Sequence, residues 1–244
     1  MYDENEGAAI SNCCEIVENC EFTKNCQSWF PVRPGIRSMI SHSRRGALYD
    51  SSVRVDFAVE LGRDDPTLEI PWEDSQAACR YLDLKRYPEL LGDLPEGLEY
   101  PELREFLGSV NSDACFMESA KCDVWSTTEM NPEEDIFEAA WKFGSYVDLL
   151  FEDLSFRVSF DAHERLVQDL TRLLKKAPEI PASAEFLIRR CYSRQGNATV
   201  SDMFYVTFYL FGYAENKEQA RKQWAIALKL VENAIRQLSM KREI

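Results

Sequence analysis

Phe204-Tyr205-Val206-Thr207-Phe208-Tyr209-Leu210-Phe211-Gly212-Tyr213 is followed almost at once by Asn216-Lys217-Glu218-Gln219. The ten residues are dominated by aromatic and branched side chains, which suit a pleated chain, and the near-apolar run 203–214 falls short of the ~18–20 residues a membrane-crossing helix needs. Alternation places Phe204, Val206 and Phe208 on one face and Tyr205, Tyr209, Phe211 and Tyr213 on the other. Asn216 then supplies a cap acceptor for exposed amides, and Ala220, Trp224, Ala227, Val231, Ala234 and Leu238 step 4-3-4-3-4 along one side of a helix. The reading is a buried strand, a capped turn and a long amphipathic helix over 215–239. Upstream, 185–193 has strand character and is separated from 204–213 by a stretch containing Gln195-Gly196-Asn197-Ala198, so the two strands form a hairpin.

A similar pattern stands earlier in the chain. Within 114–127, Ala120, Cys122 and Val124 alternate with Lys121, Asp123 and Trp125. Asn131-Pro132-Glu133-Glu134 follows as a helix start, and Ile136, Ala140, Phe143, Val147, Leu150 and Leu154 form an apolar stripe. This predicts a helix over 132–154. Each stripe position lies 84 residues before its counterpart in the last helix. Duplication of a strand–helix unit would give that match, and so would any two amphipathic helices. Further strands are expected at 53–61, where Val53, Val55, Phe57, Val59 and Leu61 share a face, and at 68–72, pairing back. Helices are expected at 75–84, 102–110 and 161–176, the last ending before Pro178. The sum is an α+β fold with a mixed or antiparallel sheet of about four to six strands and long helices on one face. Residues 1–28 lack a sustained period and read as a flexible arm ahead of a single domain over 29–244.

The chain of 244 residues carries a net charge of −14. Residues 164–244 hold nine acidic and fourteen basic side chains, a surplus of five positive charges, so 1–163 carries −19. That balance repels nucleic-acid phosphates and anionic membranes, and it favours steering toward a basic protein partner. The start, Met1-Tyr2-Asp3-Glu4, is acidic where a secretory signal is basic and then apolar, which gives a cytoplasmic expectation with the eight cysteines reduced.

Motifs of catalysis are missing from the sequence: no glycine-rich phosphate loop, nucleophile elbow or metalloprotease helix occurs. Cys13, Cys14, Cys20 and Cys26 form an adjacent pair followed by two wide gaps, where zinc sites use pairs two to four residues apart, so neither metal nor cofactor is expected. His163, in the first turn of a helix, reads as exposed. Three groups remain as candidate sites. Arg33, Arg37, His42, Arg44 and Arg45 form a basic loop suited to a carboxylate or phosphate. Tyr205, Tyr209, Phe211 and Tyr213 form an aromatic strand face suited to a protein partner, unless a helix covers it. Lys121, Asp123 and Trp125 share another strand face. The favoured function is a non-enzymatic module that binds a basic protein; the alternative is a small-molecule enzyme or receptor with an anion pocket in the basic loop.

Overall fold

The computed structural model describes residues 54–74, 79–193 and 202–242. The expected arm, the domain start at 29 and the basic loop with Arg33, Arg37, His42, Arg44 and Arg45 lie outside the described residues, as do Cys13, Cys14, Cys20 and Cys26. Residues 49–244 form one compact unit. Its strands are β1 (Arg54–Glu60), β2 (Thr67–Ile70), β3 (Glu73–Asp74), β4 (Cys79–Arg80), β5 (Met117–Thr127), β6 (Trp141–Phe151), β7 (Ala182–Ser193) and β8 (Asp202–Ala214). Its α-helices are α1 (Pro95–Glu99), α2 (Pro101–Val110), α3 (Leu154–Arg157), α4 (Phe160–Leu174) and α5 (Lys217–Arg242).

Six strands build one mixed sheet in the order β1-β7-β8-β6-β5, with β2 also on β7. The β7–β8 hairpin is antiparallel, as expected, with Phe186 opposite Phe208 and Arg189 opposite Tyr205. Strands β1 and β2 run parallel to β7 one after the other: Glu60 pairs with Arg189 and Thr67 with Arg190. The segment at 67–70 therefore extends the line of β1 instead of pairing back on it.

Helix α5 begins where Asn216 caps it, its side-chain oxygen accepting from the Gln219 amide at 3.0 Å. All six expected stripe residues are buried. The helix crosses β8 at Gly212, where a Cβ would stand 2.2 Å from the Trp224 nitrogen and 2.4 Å from the Ala220 carbonyl oxygen. Only hydrogen fits there. Trp224 fills the crossing, its indole N–H donating to Ser145 Oγ at 2.8 Å and its ring 5.0 Å from Phe143. Phe143, Val147, Phe186 and Phe208 from the sheet join Phe106 of α2, Leu170 of α4 and Val231 of α5 in one core. That core uses one face of the sheet.

The helix expected over 132–154 is not formed. Asn131 and Glu134 make the capping box, with the Asn131 amide donating to Glu134 Oε2 at 2.7 Å, but it opens only a 3-10 turn over Pro132–Phe137, ended by Glu138 at φ 47°. The chain then enters β6, flanked by β8 and β5, and from Lys142 onward every residue of β6 is buried. A strand covered on both faces reads apolar throughout, and a 3.6-residue stripe can be picked from such a run. The helical reading leaves Leu149 well off the apolar stripe and sets Gly144 in a helix interior; a strand removes both conflicts. The likeness to 204–238 thus ends at the strands, since β5 leads into a strand and β8 into a helix.

Two smaller expectations also change. In β1 only Val55 is buried, while Phe57 and Val59 are 38% and 45% exposed, because β1 lies at the sheet's edge. Of the helix expected over 75–84, residues 75–78 lie outside the described residues; Cys79–Arg80 forms β4, which pairs with β3 and is followed by Tyr81 donating its amide to the Trp72 carbonyl at 2.8 Å. No described helix is long and apolar enough to cross a membrane.

Candidate functional site

The opposite face of the sheet is organised as rows that run across the strands. Registers place Ala58, Leu187, Thr207, Asp148 and Lys121 in one row, and Asp56, Glu185, Tyr209, Tyr146 and Asp123 in the next. The third row is Arg54, Ser183, Phe211, Gly144 and Trp125. Side chains two apart on a strand share a face, so all three rows point away from the helices. The middle row sets two tyrosines between acids from β1 and β7 on one side and from β5 on the other.

Four rings meet where the second and third rows adjoin. Trp125 lies 6.4 Å from Tyr146 and 5.9 Å from Phe211; Tyr209 lies 5.9 Å from Tyr146 and 6.4 Å from Phe211. Gly144 makes this possible. A Cβ there would come within 2.8 Å of the Phe211 ring and 3.1 Å of Trp125, so the two rings close over the glycine. Trp125, Tyr209 and Phe211 are half-buried and Tyr146 is buried. Two cations already lie on these rings: Lys142 Nζ is 5.1 Å from the Phe211 centroid, and the Arg189 guanidinium carbon is 5.8 Å from that of Tyr209. The ring faces carry partial negative charge, and a positive group is held there by about 0.5–1 kcal/mol or more.

Beside the rings runs a directed line of hydrogen bonds through buried groups. Arg189 donates to Glu60 Oε2 from Nε at 2.8 Å and reaches it from Nη2 at 2.7 Å, a forked pair. Its Nη1 donates to Thr207 Oγ1 at 2.9 Å, and the Thr207 hydroxyl donates to Asp148 Oδ1 at 2.7 Å. Burial pushes the Asp148 carboxyl up to about 6, against the pull of the Thr207 hydrogen bond, Arg189 and Lys121. Lys121, its neighbour across β5–β6, lies 5.1 Å over the Trp72 ring. Burial also raises the phenols of Tyr205, Tyr209 and Tyr213, so all three stay protonated and uncharged.

The four aromatic residues expected as a partner-binding face do share this face, but two are closed in. Tyr205 is 3% exposed, within a second cluster of Ile70, Leu150, Cys191 and Met203. Tyr213 is 1% exposed; Phe137 stacks on it at 4.0 Å, and its hydroxyl donates to Glu134 Oε1 at 2.8 Å, the carboxylate that also takes Lys142 at 2.8 Å. The turn made in place of a helix thus roofs one end of the face. Tyr209 and Phe211 keep accessible surface, and the structure brings Lys121, Asp123 and Trp125 to them. Tyr146, Asp148, Glu60 and Arg189 were not singled out. Reading 141–151 as a helix hid the first two, and the only signal for the others was strand parity on β1 and β7.

His163 is not exposed. Ser159 caps α4, accepting from the Ala162 amide at 3.2 Å, and this phase puts His163 on the same stripe as Leu166, Val167 and Leu170, fully buried. Its Nδ1 lies 2.8 Å from the Ser159 carbonyl and its ring edges onto Phe151. Burial lowers its pKa.

Comparison with known proteins adds no relative: no family model matches the chain, and no curated protein or solved structure does so.

Proposed function

We propose that the protein is a non-enzymatic binding module whose rowed face takes a basic protein partner. The observation that carries this reading is the row Asp56–Glu185–Tyr209–Tyr146–Asp123, in which aromatic surface is bracketed by carboxylates. A lysine or arginine side chain laid along it stacks its stem or guanidinium on the rings and places its charge near an acid at either end. The net charge of −14 steers such a partner inward. The groups on the face suit binding better than turnover. The Cys191 thiol is pushed up to about 12 by burial, the phenols stay protonated, and the Thr207 hydroxyl is committed to Asp148.

The test uses a fluorescently labelled octa-arginine peptide and its anisotropy on titration. Any acidic protein attracts such a peptide, so the decisive variants are Tyr209→Ala and Trp125→Ala, which leave the net charge unchanged. Each is expected to weaken binding about tenfold, the size of a modest hot-spot residue. Ile226→Ala, on the exposed side of α5, is expected to leave it unchanged. Equal affinity in all four proteins would overturn the reading.

A further inference from the structure

We propose that the outer edge of β1 is a pairing site for a second copy of this chain: β1 aligns antiparallel with β1 of the copy about a two-fold axis at Phe57, and the two six-stranded sheets become one. The edge is the first observation. Strand β1 ends the sheet order, and β7 is the one described strand that pairs with it, so every second residue of β1 turns its amide and carbonyl outward. Helix α4 lies against β1, yet Phe57 and Val59 remain 38% and 45% exposed. The edge therefore offers unpaired backbone beside apolar side chains, the combination that a further strand completes. Residues 61–66 leave the sheet between Glu60 and Thr67, whose partners Arg189 and Arg190 are consecutive on β7. That excursion bounds the edge, so an added strand has the seven residues of β1 to pair with.

The residues of β1 select the occupant. In a continuous sheet, residues opposite one another share a face, so two-fold pairing is restricted to registers of matching parity. With the axis at Phe57, Arg54 faces Glu60 of the second copy at both ends, Val55 faces Val59, and Phe57 faces its own equivalent. Opposite charges meet, and the two exposed apolar residues of the edge are covered. A shift of two residues one way sets Asp56 against Asp56, and a shift the other way sets Asp56 against Glu60 at both ends. Like charges directly opposite one another destabilise such pairs. Charges on an edge strand ordinarily repel a copy; those of β1 are placed to admit one register and refuse its neighbours. Existing contacts leave room for this. Arg54 and Asp56 are 3.7 Å apart with both side chains exposed, a weak pair, and Glu60 keeps 21% of its side chain accessible while held by Arg189. A two-fold axis perpendicular to the sheet keeps both helix layers on the same side, so the rowed faces of the two copies join into one surface.

Sedimentation velocity of the full chain between about 1 and about 300 μM reads the association without any peptide, so its outcome is independent of whether the rowed face takes a basic partner. A monomer–dimer equilibrium with a Kd on the order of 10–100 μM is expected, since a seven-residue strand pair is a small interface. Phe57→Lys sets two ammonium groups at the axis and is expected to abolish the dimer within that range, and Arg54→Glu to weaken it about tenfold. Oxidative cross-linking reads the register. Directly opposite residues of an antiparallel pair have Cα atoms about 4.5–5.5 Å apart, within disulfide reach. Phe57→Cys is therefore expected to give the tryptic peptide 55–63 disulfide-linked to its own copy, identified by mass spectrometry. Asp56→Cys and Ala58→Cys, which would stand at the axes of the two neighbouring registers, are expected to give about a tenth of that yield or less. A chain that is monomeric throughout, a dimer that Phe57→Lys leaves intact, or cross-linking strongest at 56 or 58 would each overturn the proposal.

Discussion

His163 and Asp148 are both shut away from water, and burial moves their protons in opposite directions. His163 binds its proton less readily in the fold than in the unfolded chain, so its contribution is lost as pH falls below the unfolded value of 6.5. Asp148 is the reverse. Its folded value near 6 exceeds the ordinary 3.8, so the folded state holds the proton longer and stability falls as pH rises from about 4 to 6, by about 3 kcal/mol at most. Urea unfolding of the wild type and Asp148→Asn at pH 4.5 and pH 7 separates the two groups. The variant is expected to gain stability relative to the wild type at pH 7 and to match it at the lower pH; a constant difference between them would contradict the placement of Asp148. Neither behaviour was legible in the residues themselves. A histidine at the start of a helix is exposed or buried according to where the cap falls, and one residue of phase decides it.

At the scale of elements, the clearest feature is the crossing of α5 over β8. Gly212→Ala forces the Trp224 and Ala220 backbone away from the strand, since its Cβ would stand 2.2 Å from an amide nitrogen. Overpacking of this kind costs about 3 kcal/mol or more, and circular dichroism melting is expected to show a loss on the order of 10 °C, with little change if the crossing is looser than described. Strand β8 and helix α5 could be read from sequence because each has a single buried pattern: 4-3-4 spacing in the helix, aromatic alternation in the strand. Strand β6 could not, because both of its faces are buried along nearly its whole length and its apolar residues obey no one period. The capping box at Asn131 is present, but a cap starts a turn without fixing how far it propagates. The consequence falls on the site, since β6 carries Tyr146, Asp148 and Gly144, one residue in each of the three rows.

For the molecule as a whole, the division of labour between the two sheet faces organises everything else. One face is committed to α2, α4 and α5 and supplies the main core. The other holds a second, smaller cluster at one end, a turn with the Glu134–Lys142–Tyr213 network at the other, and between them four aromatic rings flanked by carboxylates. Net acidity alone draws basic molecules to many proteins; arrangement of rings and acids in register is what distinguishes one face from the rest of the surface. The two strand-face sets noticed in the sequence, Tyr209 with Phe211 and Lys121 with Asp123 and Trp125, belong to this one surface because β6 joins their strands. Titrating the full chain with octa-arginine while recording aromatic carbon–proton NMR spectra tests the assignment most directly. Shifts at Trp125, Tyr209 and Phe211 are expected to saturate together while Trp224, in the helix-side core, stays in place; shifts confined to other rings, with these three unmoved at saturation, would overturn the assignment.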